Sequence, residues 1–262
     1  SMKQNLPNID ADITVLFKSS NKDYERGYTR LIEKNSSVNF IRETEFKTNF
    51  VDFLKNNIDE YVMLLTDDSV FYKQFNGTDH DIKLMIYDNS WCFSFRLGLN
   101  TTTQWYLTGS QQQHLSILGY TNEELRGEKY IKWNWKVRPP FENYGYMMSW
   151  DGHIYKAADL LNLALKFTFY NPRTFEDKAT KIPDYRREIN KKYMVSRHES
   201  CLFVNTINAV QEEPPEFGSK YTHSVEDLNN RYLSGEIISM DSFKDLELNS
   251  SHDEIPLRFK CN

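Results

Sequence analysis

The feature that most constrains this chain is a unit of apolar run, polar loop and amphipathic helix that occurs twice in its first quarter and is followed by a third apolar run. Ile13-Thr14-Val15-Leu16-Phe17 breaks into Lys18-Ser19-Ser20-Asn21-Lys22, which is the pattern of a strand and its loop. Behind Asp23, which offers a helix cap, Tyr24, Tyr28, Leu31 and Ile32 recur near helical spacing. Val38 to Ile41 predicts a second strand, and Phe46, Phe50, Phe53 and Leu54 a second helix ending near Asn56-Asn57. A third strand, Tyr61 to Leu65, follows directly. Apolar strands alternating with helices predict an α/β fold built on a mixed, mainly parallel sheet flanked by helices, with a Rossmann-like N-terminal half. Ligands of such sheets gather at the carboxyl ends of the strands.

After Asp88 the pattern changes. Trp91 to Leu99 and Tyr130 to Trp135 are aromatic-rich extended segments, separated by a polar stretch and a predicted helix near Gln111 to Leu118, so a mixed sheet is expected here. Ile154, Ala157, Leu161 and Leu165 predict a helix over His153 to Phe167, stopped by Asn171-Pro172. The charged stretch Phe175 to Lys192, which contains Pro183, reads as an exposed connection or a mobile loop. Ser224, with Asp227 three residues on, predicts a capped helix through Tyr232, ended by Gly235. The chain of 262 residues is expected to form a single domain, with residues of about 10–90 forming one half and about 91–262 the other half with an extension.

A net charge of −5, with no long basic run, argues against nucleic acid and anionic membrane surfaces as partners. No apolar run approaches the length of about twenty residues that spans a bilayer. Cys92, Cys201 and Cys261 show no disulfide spacing and fit a soluble protein of the cytoplasm or another reducing compartment. Oligomeric state is not legible.

The most pointed motif is Thr66-Asp67-Asp68-Ser69, placed at the end of the third apolar strand without a spacer. Both carboxylates therefore sit at the rim of the sheet where the chain leaves the core. Adjacent carboxylates repel and raise one another's proton affinity unless a cation lies between them, and Mg²⁺ or Mn²⁺ takes such hard oxygen ligands while leaving room for phosphate oxygens. A cap and a solvated neighbour is the alternative reading of the pair.

Strands ending in Lys18-Ser19-Ser20, Arg42-Glu43 and Asp67-Asp68 follow an order that resembles the nucleotide-binding half of the A-type glycosyltransferase fold, especially its family-2-like members. The resemblance covers the first 70 or so residues well and the next 90 loosely. The segments Val204 to Gln211 and Tyr221 to Asn229 resemble the tails of little-studied members of that group. The resemblance implies an enzyme that moves a sugar from a nucleotide diphosphate sugar, with UDP favoured, to a glycan, protein or small-molecule acceptor, with inversion. It implies Mn²⁺ or Mg²⁺ held by Asp68 and Asp67; the departure at Ser69, where a carboxylate is usual, leaves Asp68 as the main ligand. Ser19, Arg42 and Glu43 would line the base and ribose, although Arg42 and Glu43 also read as a plain surface ion pair.

Displacement at the anomeric carbon needs a base for the acceptor hydroxyl. Asp151, in Ser149-Trp150-Asp151-Gly152-His153, stands where the family places its acceptor-side carboxylate, with a helix cap as its other reading and Glu142 and Asp159 in reserve. Trp150 would offer a flat face to the acceptor. His153, His223 and His252 read either as structural residues or as an additional ligand. Two further readings remain at this point: a catalytically inactive protein of the same fold that binds a glycan or partner, and a metal-dependent phosphohydrolase.

Overall fold

The computed structural model describes residues 1–87, 89–104, 111–112, 119–207 and 223–261. In chain order its first elements are α1 (Met2–Asn5), β1 (Ile13–Phe17), α2 (Lys22–Lys34), β2 (Val38–Arg42), α3 (Phe46–Asn56), β3 (Tyr61–Leu64), β4 (Ser69–Phe71) and α4 (Asp79–Tyr87). β5 (Ser90–Ser94), β6 (Thr103–Gln104), β7 (Gln111–Gln112), β8 (Thr121–Leu125), β9 (Glu128–Asn134), β10 (His153–Lys156) and α5 (Ala157–Ala164) follow. The rest are α6 (Pro172–Lys181), α7 (Pro183–Glu188), β11 (Tyr193–Arg197), β12 (Leu202–Asn205), α8 (Val225–Ser234), β13 (Glu236–Ile238), β14 (His252–Asp253) and β15 (Phe259–Cys261). They form two compact units, one of residues 1–9, 45–204 and 246–253, the other of 10–44, 205–245 and 254–262.

The first unit is built on a six-stranded sheet of order β3-β10-β5-β11-β9-β8. Four of its five ladders are antiparallel, and β5 with β11 is the parallel pair. The mixed sheet expected beyond Asp88 is therefore present, but the mainly parallel sheet expected from the N-terminal pattern is not its character. Short apolar runs announce strands without announcing partners. β3 pairs antiparallel with β10, which lies some ninety residues further along the chain. Phe71, Phe75, Phe93, Phe95, Tyr130, Ile154 and Val195 pack into one core of this unit with Ile82 and Ile86 of α4. A small sheet of order β14-β12-β4 completes it.

The second unit pairs β1 with β2 in parallel, in register from Ile13 opposite Val38 to Phe17 opposite Arg42, and β13 with β15 in antiparallel fashion. α2 lies against α8, and the two approach so closely that a Cβ on Gly27 would come within 2.4 Å of Asn229 Oδ1. Both helices carry side-chain caps. Asn21, not Asp23, caps α2 by accepting from the amides of Asp23 and Tyr24. Ser224 caps α8 as its sequence predicts, and Gly235, at φ +102°, ends it in the left-handed conformation that a glycine adopts without cost.

Three other expectations need correction. His153 to Phe167 is not one helix: His153–Lys156 is a strand hydrogen-bonded on both sides, and the helix begins at Ala157. Ile154 fits helical spacing and strand alternation equally, and Gly152 at φ +76° turns the chain into the sheet just before it. The stretch Phe175 to Lys192 is largely helical, because Asn171 opens α6 through a capping box with Thr174 and Pro172 occupies its first turn. The dipeptide read as a helix stop thus starts a helix, while α5 has already ended at Ala164. Gln111–Gln112 is a strand paired with β6; the remainder of the helix expected there, residues 113–118, and Trp105 lie outside the described residues.

Candidate active site

The register of the first unit's sheet decides what meets at its rim. His153 stands opposite Leu64 on one side and opposite Ser94 on the other. Two residues further out, therefore, Asp151 falls between Thr66 and Arg96. The side chains close that arrangement: Thr66 Oγ1 donates to Asp151 Oδ1 at 2.7 Å, Arg96 Nη1 to Oδ2 at 3.2 Å, and Ser149 Oγ to Oδ2 at 3.3 Å. Thr66 Oγ1 also lies 2.9 Å from Ser69 Oγ, which ties the acidic turn to the same network. Asp151 is followed by a strand, so the helix-cap reading of this residue is set aside.

Asp67 is exposed at the turn and Asp68 is partly buried behind it. Burial pushes the Asp68 carboxyl up to about 7, the Asp151 and Asp67 carboxylates add to the rise, and hydrogen bonding to Thr66 offsets part of it. Glu176 on α6 is a second carboxyl of this kind. It accepts the Trp150 amide at 2.5 Å and the Tyr146 hydroxyl at 3.2 Å, and burial together with Asp151 pushes it up to about 8. His252 of β14 is lowered to about 4 by burial and by Arg96, against an opposing pull from Asp151. That places it in the field of the same pair.

Arg96 and Glu176 are residues that sequence reasoning missed. The Arg96 side chain is 4 % exposed, and it is the single charge in Trp91 to Leu99. A charge in an otherwise apolar strand is buried only with a partner, and that signal was present. Glu176 carried none. Trp150 packs its ring among Phe46, Phe50 and Phe175 at centroid distances of 5.5, 4.8 and 6.3 Å. Its indole N–H is buried without a partner.

The remaining predicted residues have local partners of their own. Ser19, Arg42 and Glu43 belong to the second unit, where Ser19 and Arg42 both bond to Glu25, and Glu43 lies 3.8 Å from Lys18. Arg42 and Glu43 thus take separate partners. His153 is fully buried, with Nδ1 3.0 Å from the Tyr155 hydroxyl, and burial lowers its proton affinity well below the usual range. His223 lies in the second unit against Asp227 at 3.3 Å. Asp159 pairs with Lys191, and Glu142 turns the chain through its backbone carbonyl.

Among the described residues no group of three or more His, Cys, Asp or Glu side chains is arranged to hold a metal ion. Asp67 and Asp68 remain two adjacent oxygen donors, and burial, with the Asp151 and Asp67 carboxylates nearby, pushes the second of them up to about 7. That donor set suits a hard cation completed by ligand and water oxygens. No helix among the described residues is long and apolar enough to cross a membrane.

No family model matches the chain. It is similar, at 26 % identity over 250 residues, to the bifunctional glycosyltransferase pgtA of Dictyostelium discoideum. The match takes in 90 % of this chain and 32 % of that protein, so the chain spans about a third of its relative's length.

Proposed function

We propose that this protein is a metal-dependent, inverting glycosyltransferase of the A-type, family-2-like group that transfers a sugar from a UDP-sugar to an acceptor hydroxyl. The observation that carries the reading is the convergence, on one rim, of the acidic pair Asp67-Asp68 and the ion-paired carboxylate of Asp151, in a chain similar to a glycosyltransferase. UDP is favoured from the resemblance to that group. In this reading Ser19, Arg42 and Glu43 contribute to nucleotide binding.

Asp151 is the base. Thr66, Arg96 and Ser149 take three of its acceptor positions, and a carboxylate has about four, so one lone pair is left for the acceptor's proton. As the acceptor oxygen bonds to the anomeric carbon, the bond from that carbon to the diphosphate oxygen breaks, and the hydroxyl proton passes to Asp151. Asp68 and Asp67 would hold Mn²⁺ or Mg²⁺, which when bound supplies charge neutralisation for the departing diphosphate.

Thermal shift with a panel of nucleotide sugars, with and without Mn²⁺, tests this, because a ligand that prefers the native state must raise its apparent stability. UDP should stabilise the protein more with Mn²⁺ than without, and Asp68→Ala should remove the difference. Metal-independent binding would overturn the metal assignment, and absence of sugar transfer or donor hydrolysis across the whole panel would overturn the enzyme.

A further inference from the structure

We infer that Glu176 is a positioning residue for Asp151, holding the Ser149–Gly152 turn in place by accepting the Trp150 amide, an inference that rests on the reading of Asp151 as the base. The four amides of that turn all have acceptors. Ser149 N–H donates to the Tyr155 hydroxyl at 2.8 Å, Trp150 N–H to Glu176 Oε1 at 2.5 Å, Asp151 N–H to Ser149 Oγ at 3.2 Å and Gly152 N–H to Leu64 O at 2.8 Å. Only Glu176 reaches in from a helix, and the bond it accepts is the amide immediately before Asp151.

Helix α6 does not need this carboxyl for itself. Its start is closed by the Asn171 and Thr174 capping box, and Phe175 already anchors it in the aromatic cluster around Trp150. A carboxyl set among Phe175, Trp150 and Tyr146 costs desolvation that an apolar side chain would avoid. What it gains is two bonds to the segment that carries Asp151. The second of these, from Tyr146, also fixes the ring lying 5.9 Å from the Arg96 guanidinium that pairs with Asp151.

The charge state supports the same role. With its proton held up to about 8, Glu176 keeps the turn in place at neutral pH without setting a second full negative charge beside Asp151. The charged and titratable groups acting on it are Asp151, Arg96, Tyr146 and the buried Tyr155. Above that pH, ionisation adds a negative charge next to the base.

Glu176→Gln keeps an amide acceptor and a polar partner for Tyr146, whereas Glu176→Ala keeps neither. With the best UDP-sugar of the panel, Glu176→Ala should lower kcat by about 10²-fold with little change in KM, the scale of a small misplacement of a reacting group. Glu176→Gln should recover most of that loss and remove the alkaline limb of the kcat profile near pH 8. Hydrogen exchange at the Trp150 and Asp151 amides reads the same device without turnover and should be faster in Glu176→Ala than in wild type or Glu176→Gln. Unchanged kcat in Glu176→Ala, equal damage from both variants, or unchanged amide protection would each overturn the inference. A wild-type protein that turns over no nucleotide sugar sinks the transferase reading instead, and amide exchange then decides the Glu176 inference alone.

Discussion

Two places in the molecule set carboxylates against residues from strand ends or the turns beside them, and their chemistry differs. In the second unit Glu25 receives the Ser19 hydroxyl and the Arg42 guanidinium in the open, and these bonds hold its carboxyl below the usual range. In the first unit Asp68 and Glu176 are pushed up to about 7 and about 8 by burial and by the carboxylate of Asp151. The neighbouring guanidinium of Arg96 is bonded to Asp151. A carboxylate with its own cation in water is at rest. Carboxylates crowded behind a sheet rim, beside an arginine already paired to one of them, hold free energy that a bound cation or a proton can release, and this is why the candidate site lies in the first unit.

The largest effect that sharpens this contrast is expected at Asp151. Asp151→Asn should lower transfer by about 10²–10⁴-fold, the usual contribution of a general base, while UDP binding measured by calorimetry stays close to wild type. Loss of both together would give Asp151 a binding role instead. Arg96→Ala comes next, because it leaves Asp151 charged and largely enclosed without its partner. Removing one member of a buried pair costs on the order of 3–5 kcal/mol, read by denaturant unfolding at pH 7. The double variant Arg96→Ala with Asp151→Ala should cost less than the sum of the two single changes, since the residues are in contact.

How far this contrast was legible in the sequence depends on what each signal encodes. β1, β2, β3, α3 and α8 stand close to where their apolar periodicity and caps predict, since those signals are local. The ladders are not local. Nothing in Tyr61 to Leu65 says that its partner is His153–Lys156, and it is that register which brings Thr66, Arg96 and Asp151 together. His153–Lys156 was hidden because four residues fit either period. The acidic pair was visible because it closely follows an apolar strand. Glu176 looks like any other charge on a helix, and only the fold sets it on the Trp150 amide.

The next effect down is a matter of pH. Asp68 has a folded proton affinity above its unfolded one, so the stability linked to its proton is fully present in acid, below the unfolded value, and is lost as pH rises through about 7. Asp68→Asn, assayed with chelator so that no cation intervenes, should raise Tm by a few degrees at pH 8 and leave it unchanged near pH 4. A gain of equal size at both pH values would mean that the charge of Asp68 is not what the fold resists.

The smallest effect is expected from Arg42→Ala, and its sign of pH dependence is the reverse. Glu25 has a lowered folded proton affinity, so whatever the Arg42 bond adds is present at neutral pH and disappears as pH falls through the folded value. Both side chains are well exposed, at 53 % and 40 %, and exposed pairs of this kind are weak and screened by salt. The Tm at pH 7 should therefore change by no more than about 2 °C. This near-silence makes the variant useful for function. If Arg42 touches the nucleotide, UDP affinity in Arg42→Ala must fall while Tm stays in place. If both stay, the polar ends of β1 and β2 are surface structure, and donor binding must be carried by the carboxylate rim of the first unit.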